Sequence, residues 1–285
     1  MVYTLSKDRA YAEVNTKGGE LTAYRLDGKD VLWTGDPNFW VGHSPLLFPF
    51  CSGLKDGTVR FEGKPYSIGK HGFIRFMEFT ADVIEDDRIE LSVQYNDETL
   101  AQYPYKFKVT VIHKITEEGF SSHFEVKNLD SRPMPYCIGG HPGFCTGNVE
   151  NWRLEMPDDE GALLYRVTER GTASPDCYDE RRMTAKFDLH YSDFANDAFV
   201  LVEPKSKSVR LVNKDSGKGV EMDISDFNIF AVWTIYKANS PYVCLEPWNG
   251  MPAYDDETGN FEDKPYVVTL APGESKRVGY TVKEI

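Results

Sequence analysis

Three residues in this chain could exchange protons with a small molecule. His141 stands in "CIGGHPGF" (137–144), His71 in "GKHGFIR" (69–75), and Glu246 in "YVCLEPWNG" (242–250). Proline fixes φ and removes a backbone donor, and glycine allows close approach of a ligand, so both histidines sit where the backbone is tightly specified. Imidazole gives or takes a proton near neutral pH. Glu246 interrupts an apolar run and shares a strand face with Tyr242 and Cys244. A carboxylate on such a face is costly unless partnered, and desolvation raises its pKa toward the range of a useful base. Two histidines and one semi-buried glutamate therefore make an acid/base set. The competing readings are structural turn histidines and a strand-end glutamate that reaches water. A His₂Glu metal site uses the same residue types, but the chain lacks HExxH and carries the three on separate segments, so no metal is expected. No serine sits in a GxSxG elbow, which removes the usual nucleophile arrangement.

The other four histidines have plainer readings. His113 continues the apolar face of its strand and is expected to be a hydrogen-bonded core residue. His123 lies on a polar face and should be solvated. His43 and His190 lie in polar, turn-like contexts.

The elements that must position this set are strands. In "YKFKVTVIHKI" (105–115), Tyr105, Phe107, Val109, Val111 and Ile115 share one face, and "RIELSVQY" (88–95) and "FSSHFEVKNL" (120–129) alternate in the same way. "AFVLVEP", "SVRLVNK", "GVEMDI", "IFAVWTIY", "YVCLEPW" and "YVVTLAP" follow, separated by turn signals such as "LDGKD", "NKDSGKG" and "APGES". His71 should stand just before a strand that begins near Arg75. No long amphipathic helix is expected, and only residues 175–195 could hold a short one. No low-complexity linker or repeat divides the chain. The expectation is all-β: a large antiparallel β-sandwich forming one domain over residues 1–285.

Composition narrows the function. The chain has 285 residues, 41% hydrophobic, which suffices for a large core. A net charge of −13 gives no basic stripe for a phosphate backbone, so nucleic acid is not an expected partner. No run of about 18 apolar residues is present, so no membrane span is expected. The N-terminus lacks the apolar stretch of a secretory signal. Cysteines 51, 137, 145, 177 and 244 form neither a spaced framework nor a CxxC pair. Reduced thiols and a cytoplasmic location are expected.

Taken in order, "PLLFPF" (45–50), "GKPYSIGKHGFIR" (63–75), "QYPYKFKVTVIHKI" (102–115), "VKNLDSRPMPYCIGGHPGF" (126–144), "NDAFVL" (196–201) and "CLEPWNGMPA" (244–253) resemble the aldose 1-epimerase (galactose mutarotase) superfamily, nearest its bacterial branch of LacX-like proteins. The resemblance spans nearly the whole chain. It implies a galactose mutarotase-like sandwich, a free hexose as small-molecule substrate, interconversion of its α and β anomers, no cofactor, and a monomer or homodimer. It implies that His141 is the general acid, Glu246 the general base and His71 the family's first active-site histidine. Asp197 matches a carboxylate that holds sugar hydroxyls. Trp248, beside the base, would stack on the pyranose or fill the core. The acid and the base would approach the ring from opposite edges.

One departure concerns the loop after the "LFPF" strand, where many relatives carry an arginine. Here Cys51, Ser52 and Gly53 occupy that stretch. Lys55, Arg60 and Arg75 are the candidate replacements, of which Lys55 and Arg75 are expected at the substrate, although lysine lacks the guanidinium fork. Two alternatives follow. A hexose-6-phosphate epimerase would need a cationic rim, for which Lys55, Arg60, Lys70 and Arg75 are available. A non-catalytic saccharide-binding protein would have no need of a paired acid and base.

Overall fold

Period-two alternation produces the strands it implies. Phe107–Ile115 pairs antiparallel with Gly119–Asn128 on one side and Arg88–Gln94 on the other. Tyr105, Phe107, Val109, Val111 and Ile115 are all buried, so the apolar face is the core face. The structure, a computed structural model, describes residues 1–167, 172–236, 239–254 and 256–285, with all of their side chains except those of 163 and 174–181.

These strands belong to a nine-stranded antiparallel sheet that also holds Ser275–Glu284, Gly219–Asp223 and Ser208–Asn213. An eight-stranded sheet carries, from one edge, Leu46–Leu47, Ile138–Gly140, Tyr242–Asn249, Ile229–Trp233, Phe199–Val202, Ala162–Val167 and Ala173–Met183, with Gly143–Cys145 also paired to Tyr242–Asn249. The two sheets pack face to face as the β-sandwich that the alternation implies. Tyr280 of the larger sheet lies where a Cβ on Gly140 of the other would stand, 2.5 Å away. Phe187 and Phe199 meet across the layers with ring centroids 5.6 Å apart. One continuous apolar core runs between them, from Leu5 to Val282. A four-stranded N-terminal sheet, Val2–Lys7 to Lys29–Asp30, packs into the same core.

Among the described residues the one α-helical element is the single turn Asp97–Leu100, closed by a capping box between Asn96 and Thr99. Residues 175–195 hold no α-helix: Ala173–Met183 and Lys186–Asp188 are strands and Tyr191–Phe194 is a 3-10 turn. Pairing with Ala162–Val167 gives that segment its backbone partners, and sheet pairing overrides a weak local helical preference. Arg75 likewise opens no strand; it lies on the 3-10 turn Ile74–Phe76. No helix among the described residues is long and apolar enough to cross a membrane.

His113 is the core histidine its parity implies. Its Nε2–H donates to the Gly19 carbonyl at 2.8 Å, and Nδ1 lies 2.9 Å from the Ser122 hydroxyl. His123 is half-covered rather than fully solvated, because its ring lies over Gly279. His190 is exposed and bonds Glu150 at 2.7 Å. Cys51, Cys137, Cys145 and Cys244 are free thiols; the side chain of Cys177 lies outside the described set.

Candidate active site

Strand register explains how His141 meets Glu246. Tyr242–Asn249 is buried along its whole length. Ile138 and Gly139 pair with its Asn249 and Trp248; further along, Gly143, Phe144 and Cys145 pair with its Cys244, Val243 and Tyr242. Both stretches keep one register, so His141 stands directly opposite Glu246. Pro142 has no N–H for the ladder and breaks the strand at that point, while its carbonyl still accepts from Leu245 N at 3.0 Å. Opposed residues of an antiparallel pair have neighbouring side chains. The imidazole Nε2 of His141 lies 3.1 Å from Oε2 of Glu246.

The glycines beside His141 make room for protein, not for a ligand. A Cβ on Gly139 would lie 2.2 Å from the Trp248 ring. The constrained backbone around His141 thus comes from dense packing between layers.

His71 arrives from a different turn. Its N–H donates to Ser52 O at 2.8 Å, and Ser52 N–H donates to its Nδ1 at 2.9 Å. Since Nδ1 accepts, the neutral ring carries its proton on Nε2 and is a donor there. Its ring lies edge-on to His141 at 5.4 Å. His71, Ser52 and Asp197 all have positive φ, at 64°, 65° and 101°. Non-glycine residues held there cost of order 1–3 kcal/mol each and concentrate at functional sites.

These side chains face a cavity of about 200 Å³. Asp197 and Lys70 form one wall, with Nζ 3.0 Å from Oδ2; the other carboxylate oxygen of Asp197 accepts from Ala198 N. Arg75 lines the same cavity, donates to the Lys70 carbonyl at 2.9 Å and lies over the Phe76 ring. Trp248 is both wall and core: it faces the cavity, is 1% exposed, and its indole N–H has no hydrogen-bond partner. Lys55 is not brought in. It lies on the 3-10 turn Lys55–Gly57, outside the cavity wall, because the chain turns away once Ser52 has bonded His71 and Gly53 O has accepted from Ala253 N. The cations in this cavity come instead from the turn that carries His71.

Sequence reasoning missed Trp40 and Trp233. Trp40 lies over the His141 ring at 5.1 Å and Trp233 meets it edge-on at 5.7 Å. Trp40 belongs to a loop without periodicity. Trp233 read as an ordinary strand residue, and only its pairing with Cys244 places it near the acid/base pair.

Burial dominates the electrostatics. It pushes Glu246 well above the usual carboxylate range, reinforced by Asp197 and opposed by Lys70. Burial also pulls His141 down to about 3, helped by Lys70 and Arg75. His71 is lowered well below the ordinary imidazole value by burial first and by His141 second. Both directions favour the neutral form of each group, so desolvation places a proton on the Glu246 carboxyl rather than on the His141 ring. Among the described residues, Oε1 of Glu246 and Nδ1 of His141 have no hydrogen-bond partner. His141 and Glu246 therefore stand side by side rather than on opposite edges of the cavity. That suits anomeric chemistry, because O1 and O5 of a pyranose are both bonded to C1.

Known proteins agree with this architecture. The family model described as aldose 1-epimerase matches residues 1–283. The chromosomal LacX protein of Lactococcus lactis subsp. lactis is 32% identical over 297 residues, covering 99% of each chain. A galactose mutarotase related enzyme from Lactobacillus acidophilus superposes with a TM-score of 0.92 at 25% identity, over 100% of this chain and 97% of that one. A galactose mutarotase-like protein from Lactobacillus casei gives 0.92 at 24% identity, over 100% of both chains.

Proposed function

Because the chain belongs to the aldose 1-epimerase family, we propose that it is a mutarotase that interconverts the anomers of a free hexose by acid/base ring opening. The observation that carries this reading is the contact of 3.1 Å between His141 Nε2 and Glu246 Oε2 on the wall of a sugar-sized cavity. A pair that shares one proton has the stoichiometry the reaction needs.

A sugar O1–H donating to the unpartnered Oε1 of Glu246 favours the carboxylate and moves the shared proton to His141. Glu246 then takes the O1 proton while His141 gives its proton to O5. The C1–O5 bond breaks, C1=O1 forms, and a neutral imidazole and a carboxylic acid remain. After rotation about C1–C2, O5 attacks the other face of the aldehyde. His141 recovers the O5 proton and Glu246 returns one to O1, so protons balance over the cycle. His71 Nε2–H donates to the developing negative charge, and Asp197 and Lys70 hold hydroxyls. Each positioned proton transfer typically contributes about 10²–10⁴-fold.

Polarimetry of freshly dissolved α-glucose or α-galactose tests the reading: the protein should accelerate relaxation well beyond buffer. Sugar binding without acceleration would replace it with a saccharide-binding role. Lys70 and Arg75 on the cavity wall favour one second reading, a hexose-6-phosphate epimerase. A KM that rises with salt for the phosphorylated sugar, and not for the free sugar, selects it.

A further inference from the structure

The strand that presents Glu246 also presents Cys244, two residues earlier on the same face. The Cys244 thiol, a nitrogen of His141 and a carboxylate oxygen of Glu246 lie within 4.8 Å of one another, and all three residues are buried. Among the described residues, Glu246 Oε1 and His141 Nδ1 are buried without a hydrogen-bond partner. We propose that His141, Cys244 and Glu246 form an inhibitory site for a thiophilic divalent cation of the zinc class, reached through the sugar cavity. The blocking effect rests on the mutarotase reading; the binding does not.

Zinc takes imidazole nitrogen, thiolate and carboxylate oxygen at about 2.0–2.3 Å. Tetrahedral placement at those lengths sets ligands roughly 3.3–3.8 Å apart. The nitrogen–oxygen pair is already close to this, at 3.1 Å, and the three ligand atoms lie within 4.8 Å of one another. Three protein ligands leave a fourth position for water or a sugar hydroxyl. The thiolate selects against magnesium. The pair cannot then exchange protons with substrate.

The test adds ZnCl₂ to the full-length protein in competition with a chromophoric chelator and CoCl₂ for spectroscopy, and follows mutarotation in parallel. Expected are one tightly bound zinc, a near-ultraviolet thiolate-to-cobalt band, and inhibition by zinc but not by MgCl₂. Cys244→Ser should keep the uninhibited rate, lose the band and bind zinc at least ~10-fold more weakly. Cys244→Ala replaces it if serine disturbs the fold, and His190→Ala, which removes the exposed Glu150 pair, should change nothing. Undiminished zinc affinity in the Cys244 variants, or no stoichiometric binding by the parent chain, overturns the site. Metal binding with no mutarotation in any sample would sink the enzyme reading and leave the site standing.

Discussion

A carboxyl and an imidazole in direct contact, both stripped of water, behave as one titrating unit. Glu246→Gln keeps the shape of the side chain and removes the base; His141→Asn removes the acid. Each should lower kcat by at least ~10²-fold in a polarimetric assay, and full activity in both would refute their roles. The pair also predicts an unusual pH profile. An exposed imidazole gains its proton near pH 6.5, but burial holds His141 down to about 3 and Glu246 above the carboxylate range. A proton-NMR titration should therefore show no protonation of the His141 ring near pH 6.5, and protonation there would show that it titrates as an open, solvated ring. The identities of these residues were legible from sequence, since a carboxylate inside an apolar run and a histidine bracketed by glycine and proline are local oddities. Their side-by-side contact was not, because about a hundred residues separate them and only strand register joins them.

At the level of elements, the site is a seam between strands and turns. The Tyr242–Asn249 strand aligns Glu246 with His141, and the Ser52 and His71 turns lock to each other by two hydrogen bonds. Gly72 makes that locking possible. Its φ is +71°, and a Cβ there would lie 2.1 Å from the Phe48 carbonyl oxygen. Gly72→Ala should therefore cost more than ~1 kcal/mol of stability in urea denaturation and lower kcat/KM by displacing His71. Unchanged values for both would mean that the turn does not hold the site. Alternation revealed the strands, because burial of one face imposes period two on nearby residues. It could not separate a strand from a 3-10 turn around Arg75, nor find the pairing that turned 175–195 into sheet. Lys55 was misplaced for a related reason: closeness in sequence to Ser52 says nothing about which way the chain turns after it.

For the whole molecule, the buried histidine that does no chemistry carries a stability prediction. His113 is held neutral at about 4 by burial within the sandwich. The unfolded chain takes up a proton near pH 6.5 while the native state does not, so protons favour unfolding below that value. The associated stability is present above pH 6.5 and is lost as pH falls toward 4, by roughly 3 kcal/mol. Glu246 works with the opposite sign, since its native carboxyl binds a proton more tightly than the unfolded one. The comparison that isolates His113 is between urea midpoints at pH 7 and pH 4.5 in the parent chain and in His113→Gln; the variant should lose less on acidification, and equal losses would reject the assignment. The same sandwich decides what composition could not: a chain of net charge −13 sets Lys70 and Arg75 against its cavity. Sequence by itself determined the strands and their buried faces and singled out His141, His71 and Glu246 as candidates, because those depend on each residue and its near neighbours. Only the tertiary structure decided that His141 and Glu246 lie in contact, that Trp40 and Trp233 pack beside them, and that Lys70 rather than Lys55 reaches the cavity. Those outcomes depend on register and layer packing between distant segments, and alternation is the same for every register that keeps the buried face buried.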